Sequence, residues 1–85
     1  MRSPIIRQLV HFIQEKDEDF VLETIEILED ISINESLKDE EIDSIGELLS
    51  NLYGAIEVCK EINNGKSEHE ALNFFMQRVI GSIDK

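Results

Sequence analysis

Basic residues are scarce in this chain: eight Lys and Arg stand against nineteen Asp and Glu, giving a formal charge of −11 and a pI near 4.4. A phosphate backbone or an anionic lipid surface would meet a repulsive field, so neither nucleic-acid nor membrane-surface binding is expected. The lone cysteine, Cys59, has no mate for an internal disulfide or for a paired-cysteine zinc or redox site. One proline and four glycines are too few for a turn-rich or disordered chain of 85 residues that is 41% hydrophobic. Apolar runs such as Phe20 to Leu22 stop at three residues, which supplies neither a membrane span nor the apolar stretch of a secretory signal. A folded, helical, cytoplasmic protein is the expectation that remains.

The size predicts a single domain, 1–85, near the limit at which one core suffices for a monomer. The negative charge is uneven. Fourteen of the nineteen acids fall in residues 15–47, where Lys16 and Lys38 are the bases. That half of the molecule would attract a basic protein surface or a divalent cation.

Apolar periodicity resolves four helices. Ser3 followed by Pro4 reads as an N-cap and first helical residue, and Ile5, Ile6, Leu9, Val10, Phe12 and Ile13 form a stripe that ends near Glu15. His11 falls on the opposite, solvent face. Asp17-Glu18-Asp19 places capping and negative charge at the start of a second helix, from about residue 18 to Ile31. Its inward residues are Phe20, Val21, Ile25, Ile27, Leu28 and Ile31, with Leu22 outside the arc.

A polar loop over Ser32 to Ser36 precedes the longest pattern in the chain. Ser36-Leu37-Lys38-Asp39 offers an S-x-x-D cap, and Ile42, Ile45, Leu49, Leu52, Ile56 and Cys59 then alternate spacings of three and four as far as Asn63. Asn64-Gly65 closes the helix with a left-handed turn. At about 27 residues it would span roughly 40 Å, twice the length of its neighbours. Gly46 and Gly54 each cost about 1 kcal/mol in a helix interior, and with Ser50 they make a small-residue ridge that lets another helix approach closely. Ser67-Glu68-His69-Glu70 is a capping box for a fourth helix whose core face is Ala71, Leu72, Phe75, Met76, Val79, Ile80 and Ile83. Phe74 points away from that face and is the leading exposed contact residue.

Chemistry has little to stand on. From Asp17 the sixth and twelfth residues are Leu22 and Leu28, which excludes a calcium loop there. Neither His11 nor His69 follows a glutamate by three residues, as a helical di-iron site requires, and His69-Glu70 lacks the second histidine of a zincin. Cys59 sits on the apolar seam and no serine carries a nucleophile elbow. Metal, cofactor and catalytic residues are therefore expected to be none. A helical repeat of the tetratricopeptide kind is rejected, since Gly65 to Phe75 carries a turn one residue too long and has no second copy.

Asp43-Ser44-Ile45 resembles the modified Asp-Ser of acyl and peptidyl carrier proteins, which implies phosphopantetheine attachment at Ser44. The usual glycine before that pair is missing, and Glu40-Glu41-Ile42 already read as helix. More extensively, Ile45-Gly46-Glu47-Leu48-Leu49-Ser50-Asn51-Leu52-Tyr53-Gly54-Ala55-Ile56-Glu57-Val58 and the ending Arg78-Val79-Ile80-Gly81-Ser82-Ile83-Asp84-Lys85 resemble an uncharacterised family of short acidic helical bacterial proteins, a domain of unknown function. That resemblance implies a stand-alone, full-length protein and carries no site residues.

The sequence thus predicts an all-α protein, a small four-helix bundle with one long central helix. It is expected to act as a non-enzymatic interaction module that forms a homodimer through Gly46, Ser50 and Gly54, with Phe74 at the rim. The alternatives are an acidic adaptor or inhibitor docking a basic protein, and a carrier-like protein modified at Ser44.

Overall fold

The computed structural model describes residues 2–83, with side chains through Val79, so Ile80 and Ile83 of the expected core face lie outside the described side chains. Four helices follow in order: α1 Ser3–Glu15, α2 Glu18–Ser32, α3 Asp39–Asn63 and α4 Glu68–Ile83. Among the described residues there is no strand.

The ends of the helices explain most of the departures from the sequence reading. The N-cap of α1 is Arg2, not Ser3, and the Ile5 and Ile6 amides donate to its carbonyl. The Arg2 amide in turn donates to Asn51 Oδ1 at 2.9 Å, so a side chain of α3 fixes where α1 begins. Helix α2 starts as expected, with the Asp17 carboxylate accepting from the Asp19 amide. Helix α3 starts at Asp39, because Ser36 is engaged elsewhere: its amide and hydroxyl both donate to Asn34 Oδ1 at 2.9 and 2.6 Å. The start is marked instead by Glu41, whose carboxylate accepts from the Lys38 amide at 2.9 Å.

The far end of α3 closes as the sequence predicts. Gly65 has φ +109°, its amide donates to the Ile62 carbonyl, and the Lys66 amide donates to that of Glu61, which is the Schellman pairing. The capping box of α4 is reciprocal, Glu70 N–H to Ser67 Oγ at 3.1 Å and Ser67 N–H to the Glu70 carboxylate at 3.2 Å. Hydrogen bonding from the Ser67 amide, and then from its hydroxyl, holds the Glu70 carboxyl below its ordinary range.

Helix α3 runs unbroken through Gly46 and Gly54 for 25 residues, or about 37 Å. All three other helices pack on it, and among the described residues α2 and α4 do not touch. Ile6, Val10, Ala55, Val58, Cys59, Ala71, Leu72 and Phe75 bury together between α1, α3 and α4. Val21, Ile25, Leu52 and Ile56 bury together between α2 and α3, and Leu9 and Ile13 pack against both groups. His11 Nε2 lies 2.7 Å from Glu68 Oε1, tying α1 to α4 at their solvent edge.

The bundle is flat, 43 × 36 × 17 Å, about two helices thick. It is also uneven along α3. Helix α1 has 13 residues and begins level with Asn51, so only the second half of α3 is covered by α1. On the seam, Leu52, Ile56 and Cys59 are buried, Ile45 and Leu49 are half-buried, and Ile42 is exposed. Three inward assignments on α2 are corrected: Ile27 and Ile31 are exposed where α1 does not reach, and Phe20 is exposed at the edge of the bundle beside Phe12, while Val21 and Ile25 are the residues that reach the core.

Candidate functional site

The four predicted interface residues do not share one environment. Gly54 is buried inside the chain's own core. A Cβ there would lie 3.1 Å from both Ile6 Cδ1 and Phe75 Cζ, so its missing side chain is what lets α1 and α4 close on α3. Ser50 is half-buried one turn earlier, and Gly46 is exposed, with no described atom within 4 Å of where its Cβ would stand. Phe74 is 42% exposed, as the sequence predicts, and its ring is flanked by Lys66 Nζ at 4.5 Å and the Arg78 guanidinium at 5.7 Å. The ridge is thus split, with its C-terminal member occupied within the chain and its N-terminal member open.

Residues considered for chemistry lie apart. Ser44 is exposed in the second turn of α3. Cys59 is buried, and that burial pushes its thiol above the ordinary range. Tyr53, exposed on α3, donates its hydroxyl to Glu29 of α2, which raises the phenol above its usual value. Among the described residues no group of three or more His, Cys, Asp or Glu side chains is placed to hold a metal ion.

A mainly apolar groove lies between α1 and α2. Leu9 and Phe12 form one wall, Phe20, Val21 and Thr24 the other, and Leu52 the floor, around a shallow apolar space of about 260 Å³. Phe12 and Phe20 meet edge to face near its closed end, with ring centroids 5.9 Å apart. The apolar surface continues beyond the space itself. Ile27 and Ile31 lie three and seven residues after Thr24 on the same face of α2, and Leu48 lies one turn before Leu52 on α3. Exposure is high along this strip: 57% for Phe20, 60% for Ile27 and 51% for Leu48.

Sequence periodicity did contain this surface, but in disguise. The apolar arc of α2 is wider than the cover that α3 and the short α1 give it, so part of it is left open. Which part depended on how far α1 reaches, and nothing in the spacing of α1 fixes its level against α3. The decisive contact is the Arg2–Asn51 bond, between residues 49 positions apart.

Compared with known proteins, residues 1–84 match a family of unknown function, DUF6952, and the chain belongs to that family. No curated protein and no solved structure matches it.

Proposed function

We propose that the protein works in the cytoplasm without catalysis, as a protein–protein interaction module. The observation that carries this reading is the set of exposed apolar side chains Phe12, Phe20, Ile27, Ile31 and Leu48, at the groove and along the helix faces that extend it, of the kind that marks an interaction site on a small folded protein. Affinity capture of the tagged protein from its native host tests it, with Phe20→Ser/Ile27→Ser as the comparison. Both side chains are largely outside the core, so the variant should retain its helical spectrum and melting transition while losing the proteins captured by the parent.

Self-association is the second reading, and a separate observation supports it. Gly46 and Ile42 are exposed on a part of α3 that α1 does not reach, and Gly46 lies roughly 160° round the helix from Leu48. A second copy could lay its own α3 against that open glycine, with Ser50 beside it and Phe74 on α4 at the rim. Dimer mass is expected by sedimentation equilibrium at high micromolar concentration, in moderate salt to screen the −11 charge. Gly46→Leu should return the protein to monomer. Monomer mass for the parent across that range would remove this reading.

The carrier-like alternative rests on Asp43-Ser44 alone. Because Ser44 stands inside α3, past its first turn, no mass increase is expected on incubation with a phosphopantetheinyl transferase and coenzyme A. An increase that vanishes in Ser44→Ala would restore the carrier reading.

A further inference from the structure

We infer that the groove between α1 and α2 is a seat for a basic amphipathic helix of a partner protein, an assignment that rests on the interaction reading above and names its partner. The shape comes first. Two helix faces, Leu9 and Phe12 on α1 and Phe20, Thr24, Ile27 and Ile31 on α2, stand on either side of a floor formed by Leu52 and extended by Leu48. An occupying helix would rest one end on Leu9, Phe12 and Phe20 and run on past the start of α1, over Leu48, Ile27 and Ile31, along the half of α3 that α1 leaves open. That stretch, residues 39–50, is about 18 Å long and would take three turns of helix. Apolar anchors at i, i+3 or i+4, and i+7 match such a surface.

Charge then selects the partner. On α2 the next positions outward from Phe20 and Ile27 are Asp19, Glu23 and Asp30, and on α1 Glu15 stands one turn after Phe12. All four carboxylates are on exposed residues. The bases of residues 15–47 sit at the ends, Lys16 in the turn between α1 and α2 and Lys38 at the start of α3. A second copy seated in this groove would bring its own carboxylates against Glu15, Asp19, Glu23 and Asp30, whereas lysines and arginines flanking an apolar stripe would be drawn to the rim as the stripe buries.

A displayed library of helices of about 18 residues tests this, with Leu, Ile, Phe or Met at i, i+3, i+4 and i+7 and Lys, Arg, Glu or Gln elsewhere. Selection on the full chain is expected to enrich net-positive sequences. A synthetic peptide of the enriched sequence should bind by fluorescence anisotropy, weaken as salt rises, and bind Phe20→Ser/Ile27→Ser about tenfold or more weakly. Glu23→Lys/Asp30→Lys, which leaves the apolar walls intact, should weaken it as well. Enrichment of neutral or acidic helices, no enrichment, or equal binding to both variants would overturn the assignment. Loss of captured proteins in Phe20→Ser/Ile27→Ser together with a failed selection would sink the basic helix and leave the interaction module standing. Capture indifferent to that variant would sink the module itself.

Discussion

Gly54→Leu is expected to lower stability by about 2 kcal/mol or more, read as a fall in the urea midpoint with little change in the dependence on denaturant. The space is already taken. A first carbon at that position would meet Ile6 and Phe75 at 3.1 Å, and a leucine adds three more carbons where α1, α3 and α4 converge. On an exposed stretch of helix the same change would favour the helix by about 1 kcal/mol, since leucine is the better helix former. The sign of the effect therefore separates a glycine that permits close packing from one that is merely tolerated. A midpoint that rises would mean that α1 and α4 do not approach α3 as closely as the structure places them.

Asn51→Ala should cost about 1 to 2 kcal/mol, through hydrogen bonds rather than volume. Asn51 is the one buried polar residue among those described. Its Oδ1 accepts from the Arg2 amide and its Nδ2 donates to the Glu47 carbonyl at 3.0 Å. Alanine would leave the Arg2 amide without its partner at the place where α1 begins. Hydrogen exchange localises the effect: the Ile5 and Ile6 amides, which donate to Arg2, should exchange faster, while amides in the middle of α4 should change only with global stability. Uniform exchange throughout, with no lowered midpoint, would show that the bond does not hold the start of α1.

How much of this was legible beforehand differs from residue to residue. Helix number, the Asp17 and Ser67 caps and the Gly65 closure were readable because each depends on neighbours within a few positions. Ser36 misled because its strongest alternative partner, Asn34, is just as local as the helix it was expected to cap. The use of Gly54 was half legible: small residues at intervals of four announce a close approach, but not whether α1 and α4 or another chain makes it. Asn51 gave no signal at all, since an asparagine in a helix reads as a surface residue until the 49-residue separation from Arg2 is closed by the fold. The groove was hidden for the same reason.

That separation has a further consequence, for the order of events in folding. Helices α2 and α3, and α3 and α4, are sequence neighbours that can meet through short loops, whereas the contact that sets the level of α1 on α3, Arg2 to Asn51, joins residues 49 positions apart. That contact is expected to form late. A change that acts mainly on the α1–α3 contact, such as Asn51→Ala, should then leave the refolding rate nearly unaltered and appear chiefly as faster unfolding. On that order of events α1 is the latch of the bundle, and the native protein is expected to last as long as this 13-residue helix stays shut.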